Sequence, residues 1–204
     1  MKKNLLSLSA ILAFLSLCGL ARAFTIDFGA LLSGPAESPP NTSPATGTAD
    51  VLFDSVAHTL HVQVSFSGLL GMSTASHIHA ATAVPGAGTA GVATTLPYFA
   101  GFPIGVTSGT YDHVLDLTDT GSYNPAYMAA HGGTPAGAEA ALLTAMEAGE
   151  SYLNIHSTVV PSGEIRGFLH RVPDGAQTAA LLAFGILGLA GVSRLLGRRA
   201  AARG

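Results

Sequence analysis

The sequence predicts an all-β fold, an antiparallel Greek-key β-sandwich with one short helix, for the central part of this 204-residue chain. Segments in which apolar and polar residues alternate recur along residues 24–171, as in strands with one buried face. Turn residues separate these segments about every 8 to 12 positions, and the chain has 25 glycines and 11 prolines. About 150 residues can form one core but not two domains. We therefore expect a single domain at 24–171.

The strands can be placed from this alternation. The clearest is His58–Phe66, where leucine, valine and phenylalanine alternate with histidine, glutamine and serine. The other predicted strands, in chain order, are Phe24–Leu32, Thr48–Asp54, Ala75–Ala80, Val92–Leu96, Thr110–Leu117, Ser151–His156 and Glu164–His170. No repeat with a period of about 20 to 50 residues accompanies them, which argues against a solenoid or a propeller.

One segment of the domain has the features of a helix, Pro135–Glu147. Thr134 is a suitable N-cap, and a proline is well tolerated at the first helical position. Gly149 follows as a stop signal.

The N-terminus has the three parts of a secretory signal peptide. Lys2 and Lys3 form the positive region, and the apolar region runs from 5 to 20. Ala21 and Ala23 are the small residues that signal peptidase recognises, so we expect a signal peptide at 1–23 that is cleaved after Ala23. An uncleaved N-terminal anchor is the alternative interpretation.

The single cysteine, Cys18, lies inside the apolar region of this signal. Leu17 precedes it, whereas a lipoprotein signal requires a small residue there, so we do not expect lipidation. After cleavage the chain has no cysteine, which excludes disulfides and a catalytic or metal-binding thiolate. The folded domain must be stabilised by its core.

The C-terminal segment, 172–204, resembles a membrane-anchored sorting signal. Residues 175–193 carry no charge and reach about 28 Å as a helix, enough to span a hydrocarbon core. Four arginines follow, at Arg194, Arg198, Arg199 and Arg203, which predicts a transmembrane helix with a cytoplasmic end.

Val172-Pro173-Asp174-Gly175 opens this tail, before the uncharged segment and the arginines. The arrangement is similar to the PEP-CTERM family of sorting signals, and to its variant that begins Val-Pro-Asp-Ser-Gly, which has serine at the position of Gly175. The resemblance implies that an exosortase removes the tail and transfers the protein to the cell envelope, outer surface or extracellular matrix.

The charge of the domain restricts its partners. Residues 24–171 hold two arginines against eleven acidic residues, a net charge of −9 with neutral histidines. Such a surface argues against binding to nucleic acid or to anionic membranes, and it is compatible with divalent cations. A solvated surface without any partner is the interpretation that we favour.

His77 and His79 are the strongest candidate site. Residues two apart in a strand lie on one face, about 6.6 Å apart, while Ile78 points to the other side. If the strand that carries His156 is a neighbour, three imidazoles can meet in a copper or zinc site, with His131 as a possible fourth contact. The alternative is that these histidines only hydrogen-bond to loop carbonyls.

Other polar residues give weaker signals. Glu164 and Arg166 share a strand face and could form a structural ion pair, although Arg166 could instead pair with Glu150 or Glu37. The spacing of three aspartates, Asp112, Asp116 and Asp119, does not match a calcium loop. No nucleophile, phosphate-loop or zinc-protease motif is present, so no catalytic residue is assigned.

Three segments of the domain carry a specific pattern. They are Leu32-Ser33-Gly34 with Glu37, Pro39-Pro40 and Ala45-Thr46-Gly47; Ser67-Gly68-Leu69 with His77-Ile78-His79; and Tyr152-Leu153-Asn154-Ile155-His156 with Pro161 and Gly163-Glu164-Ile165-Arg166-Gly167. In order and spacing they resemble the CHRD domain, the module named after chordin, over nearly all of 28–169. The resemblance implies a β fold in an extracellular setting, without a general enzymatic activity. The histidine pair is also similar to that of copper/zinc superoxide dismutases.

Together these features predict an exported, non-enzymatic binding or structural protein. Its expected partners are signal peptidase, an exosortase, the membrane through 175–193 until cleavage, and an envelope or matrix ligand, but not nucleic acid. The alternative is a copper- or zinc-binding domain that uses His77, His79 and His156.

Overall fold

Three long antiparallel strands form the middle of the sheet in a computed structural model that describes residues 24–173. They are β1 (Thr25–Ser33), β2 (Thr46–Asp54) and β3 (Thr59–Ser67). β2 pairs with both neighbours along all nine of its residues. Alternate residues of these strands are apolar and buried, so the alternation seen in the sequence fixes which face of each strand meets the core.

Five further strands complete an eight-stranded sheet: β4 (Ser73–His79), β5 (Gly109–Asp116), β6 (Tyr152–Ser157), β7 (Ile165–Phe168) and β8 (His170–Arg171). The strand order is β4-β6-β7-β1-β2-β3-β5, with β8 also paired to β1. The pairs are antiparallel, which confirms the predicted fold class.

The sheet curls until the start of β4 meets the segment that leads into β5, the strand at the opposite edge. Ser73 at the start of β4 donates to the carbonyl of Val106, and Gly105 donates back to the carbonyl of Ser73. The predicted sandwich is therefore one sheet folded over on itself. Its interior holds fully buried side chains from both halves, among them Phe28, Leu60 and Ile78. Each contributes about 1.5–3 kcal/mol through burial.

Two short helices lie outside the sheet, α1 (Pro125–Ala130) and α2 (Pro135–Glu147). The helix predicted from the sequence is α2, and its bounds are confirmed. Thr134 Oγ1 accepts a hydrogen bond from the Gly137 amide at 3.2 Å, as expected of an N-cap. The prediction of one helix missed α1, because six residues are too few to show a helical period.

Two predicted strands differ from those observed. Residues 92–96 form only isolated bridges, from Val92 to His79 and from Thr94 to Tyr123. This segment lies along the outer edge of β4, where the Ala93 amide donates to the carbonyl of Ile78 at 2.9 Å, and so protects that edge. The predicted strand at 164–170 is divided into β7 and β8.

The predicted signal peptide, with Ala21 and Ala23, lies outside the described residues, as do Asp174, Gly175 and the segment 175–193. Within 24–173, no helix is long and apolar enough to cross a membrane. The described end of the chain runs beside β1, where the amide of Val172 donates to the carbonyl of Asp27 at 2.8 Å.

Candidate metal centre

The pairing of β4 with β6 brings three histidines together. His77 lies opposite Asn154, and Ala75 lies opposite His156. His77, His79 and His156 therefore share the outer face of the sheet, while the residues between them face the core. One potential ligand atom from each histidine lies within 4.8 Å of those of the other two. We call these residues the three-histidine cluster.

Each histidine of the cluster is fixed by a backbone carbonyl. The carbonyls come from the loops that cover the outer face of β4 and β6. The bonds are His77 Nε2 to Pro97 at 2.7 Å, His79 Nδ1 to Ala90 at 2.9 Å and His156 Nδ1 to Pro161 at 2.8 Å. A carbonyl only accepts, so the nitrogen that faces it carries the hydrogen. In a neutral imidazole the other nitrogen then carries a lone pair.

The lone pairs that result are largely unused. The Nδ1 of His77 and the Nε2 of His156 are buried and have no hydrogen-bond partner. The Nε2 of His79 lies 3.1 Å from the amide oxygen of Asn154, a contact that becomes N–H donation to the imidazole if the amide is turned over. Leaving a buried polar atom unpaired costs about 1–3 kcal/mol. A bound metal ion would accept the lone pairs of all three nitrogens.

Burial keeps the cluster neutral. Burial, together with the charges of the nearby His156 and His79, lowers the pKa of His77 to about 4. Burial also lowers the pKa of His79 and of His156. Neutral imidazole is the form that binds a metal, so the ligands do not have to lose a proton at physiological pH.

Behind the cluster, an aromatic ring and a guanidinium are stacked in sequence. The ring of Tyr152 lies parallel to that of His79, with centroids 4.6 Å apart and an interplanar angle of 6°. The guanidinium of Arg166 lies 4.6 Å from the centroid of the Tyr152 ring. Arg166 also donates to the carbonyls of Ala36 and Gly88, so its position is fixed.

Glu37 is a buried carboxyl next to this stack. Its Oε2 lies 3.7 Å from the Nε of Arg166. Burial raises the pKa of Glu37 to about 7, although the charge of Arg166 opposes the rise. Gly163, at φ +127°, leaves the necessary space: a Cβ there would lie 2.7 Å from Glu37 Oε1 and 3.0 Å from the Asn154 amide nitrogen.

Arg166 is thus paired with Glu37 and not with Glu164. Glu164 lies before the first residue of β7, and its Oε1 accepts hydrogen bonds from Ser43 Oγ at 2.7 Å and from the Leu70 amide at 2.6 Å. The predicted pair of Glu164 with Arg166 is therefore corrected. Of the alternative partners considered from the sequence, Glu37 is the residue that the structure places beside Arg166.

The remaining candidates lie elsewhere. His131 packs on Tyr127 between the two helices, with ring centroids 4.3 Å apart, and the metal-ligand group formed by the described residues does not include it. Asp112 bonds to His61 at 2.6 Å, and the other two aspartates of the weak calcium signal cap local turns. The sequence analysis did not predict the three carbonyls or the stacking of Tyr152 on His79. The course of a loop produces no periodic pattern in the sequence from which such contacts could be predicted.

The fold and the cluster define a class: an antiparallel β domain with three converging, carbonyl-fixed histidines on a covered sheet face. This chain belongs to the CHRD domain family, whose sequence model matches residues 28–169 and confirms the resemblance. The match includes all three histidines. No curated protein and no solved structure matches this chain.

Proposed function

We propose that this chain is an exported CHRD protein whose β domain binds copper or zinc through His77, His79 and His156. A CHRD domain fits a non-enzymatic binding or structural role. The observation that carries the metal proposal is that backbone carbonyls fix three histidines whose ligand atoms lie within 4.8 Å of one another, and that each neutral ring keeps a second nitrogen with a lone pair. Metal-binding histidines usually donate their other N–H in this way, because that bond fixes the tautomer and the ring orientation.

The distances between the histidine nitrogens are compatible with a metal site whose ligands move closer together when the ion binds. Zinc–nitrogen bonds of about 2.0–2.1 Å place ligand nitrogens about 3.3 Å apart in tetrahedral geometry. One ring nitrogen from each histidine of the cluster lies within 4.8 Å of the other two, so the nitrogens must move closer by about 1.5 Å at most to reach this spacing. The acidic surface of residues 24–171 also favours the approach of cations.

Metal binding by the purified full chain tests this proposal. We expect the wild type to bind one copper or zinc ion and the His77→Ala/His79→Ala variant to bind at least about 100-fold more weakly, a loss of about 2.7 kcal/mol. Metal at 100 times the dissociation constant should raise the melting temperature of the wild type by about 5–10 °C. Calorimetry and thermal melts measure both effects.

The control is His113→Ala, which removes an exposed histidine of β5 and should leave metal binding unchanged. Equal affinity in the wild type and the double variant would overturn the metal proposal. The protein would then remain a CHRD domain with a binding or structural role.

We also propose the route of export. Signal peptidase cuts after Ala23, the segment 175–193 holds the chain in the membrane, and an exosortase removes the tail at Val172–Gly175. The protein then reaches the cell envelope, outer surface or matrix. The support is the tripartite pattern at each end of the chain.

Replacement of Pro173 by alanine should block processing of the tail, because proline is part of the matched motif. The product should retain its C-terminal mass in mass spectrometry and stay in the membrane fraction. Pro85→Ala, in an exposed loop, is the control and should be processed like the wild type. Release of the Pro173→Ala product at its normal mass would contradict recognition by this motif.

A further inference from the structure

We infer that the three-histidine cluster selects copper in its monovalent state, Cu(I), over Zn²⁺ and Cu²⁺. This inference rests on the proposed function, since it assumes that the cluster binds a metal. It follows from two properties of the site, namely the charge around the cluster and the number of ligands that it offers.

The surroundings of the cluster penalise a doubly charged ion. Within residues 24–173, the ligand group consists of three imidazoles and contains no carboxylate. The guanidinium of Arg166 lies 4.6 Å from the centroid of the Tyr152 ring, which stacks on His79 with centroids 4.6 Å apart, so its positive charge lies close behind the cluster. The Glu37 carboxyl beside Arg166 offsets this charge only while it is ionised, and burial raises the pKa of Glu37 to about 7. The free energy needed to move an ion from water into a buried site rises with the square of its charge. This desolvation energy is therefore about four times larger for a divalent ion than for a monovalent one.

The number of ligands points to the same ion. Zinc is bound in proteins by four ligands, or by three together with an accessible water. The cluster offers three nitrogens, and those of His77 and His156 are buried from solvent. Cu(I) is a d¹⁰ ion that accepts three-coordinate, trigonal surroundings. Cu²⁺ favours square-planar or tetragonal sites, which need at least one ligand more than the cluster provides.

A buried Cu(I) site would bind and retain a cuprous ion. The described domain contains no cysteine, so thiolates do not compete with the histidines for a soft metal. The chemistry assigned to the site is sequestration or transfer of Cu(I), without a redox cycle.

Competition under anaerobic conditions tests this selectivity on the full chain with Cys18→Ser, so that no thiolate competes for Cu(I). Cu(I) is titrated against bathocuproine disulfonate in the presence of a reductant, and Zn²⁺ against a chromophoric zinc chelator. We expect the dissociation constant for Cu(I) to be at least about 1,000-fold lower than that for Zn²⁺, and the His77→Ala/His79→Ala variant to lose Cu(I) binding. His113→Ala should keep both constants.

The outcomes separate the two claims. If neither metal binds the wild type more tightly than the double variant, the proposed metal function fails, and the inference with it. If both metals bind through the histidines but Zn²⁺ binds as tightly as Cu(I) or more tightly, the inference alone is overturned.

An Arg166→Gln variant tests the charge argument directly. Electrostatic energy is proportional to the charge of the ion, so removal of the guanidinium should raise the logarithm of the Zn²⁺ affinity about twice as much as that of Cu(I). Arg171→Gln, at an exposed position of β8, should change neither. Equal gains for both ions in Arg166→Gln would contradict the charge argument. Should that variant not fold, the competition on the wild type decides alone.

Discussion

Gly167→Ala will lower the free energy of unfolding by about 3 kcal/mol, because the new methyl group has no space between β7 and β1. A Cβ at this position would meet the carbonyl oxygen of Leu31, lie 2.9 Å from its carbonyl carbon and lie 3.1 Å from the Cβ of Ala30. Two of these atoms belong to backbone that cannot rotate away. The two strands must therefore separate where the two halves of the sheet join.

Thermal and urea unfolding measure this effect. For a domain of this size, about 3 kcal/mol corresponds to a loss of about 6–12 °C in melting temperature. The matched control is Gly91→Ala, since a Cβ on Gly91 meets no atom within 4 Å and its φ is not positive. That variant should stay within about 0.5 kcal/mol of the wild type. A Gly167→Ala protein as stable as Gly91→Ala would show that β1 and β7 can separate freely.

The parts of the fold that could be predicted are those with a local cause. β3 was placed within one residue, because strict alternation fixes both the state and the buried face of a strand. α2 was placed with its bounds, because Thr134 and Gly149 are local signals for a start and a stop. Residues 92–96 have strand-like composition, but they lie against the edge of β4 and gain only isolated bridges.

The candidate site was predictable in part for the same reason. The spacing of His77 and His79 alone places both imidazoles on one face. Whether His156 joins them depends on the pairing of β4 with β6, strands separated by more than 70 residues, and the sequence leaves that pairing open. The carbonyls of Pro97, Ala90 and Pro161 depend on loop paths, and these are set only when the loops pack on the sheet.

The motif Gly163-Glu164-Ile165-Arg166-Gly167 illustrates the limit most clearly. The sequence is enough to recognise its resemblance to the CHRD family, but it does not predict the structural role of each residue. In the structure Gly163 makes room for Glu37 and Asn154, and Arg166 packs on Tyr152 behind the histidines. Gly167 permits the close approach of β1. Five consecutive residues thus connect the cluster to the junction of the sheet.

The Glu164 side chain hydrogen-bonds to two loops, at Ser43 and at Leu70. Its replacement by alanine should lower the free energy of unfolding by about 3–5 kcal/mol. The side chain is fully buried, and its Oε1 accepts from Ser43 Oγ and from the Leu70 amide. Alanine leaves both donors without a partner, at about 1–3 kcal/mol each, and opens a cavity. Glu147→Ala, at the exposed end of α2, is the control and should be nearly neutral.

The pH dependence of the free energy of unfolding shows whether Glu164 stabilises the fold through its charge or only through the volume of its side chain. Burial alone would raise the pKa of Glu164, but hydrogen bonds to the carboxylate, those from Ser43 and Leu70 among them, hold it below the ordinary value of 4.5. A carboxyl with a lowered pKa in the folded state stabilises the protein above pH 4.5, and this contribution is lost as the pH falls through the folded-state pKa. Urea unfolding at pH 7 and below pH 4 should therefore show that the difference in the free energy of unfolding between wild type and Glu164→Ala is smaller in acid. A gap that is constant across this range would mean that the side chain acts by its volume and not by its charge.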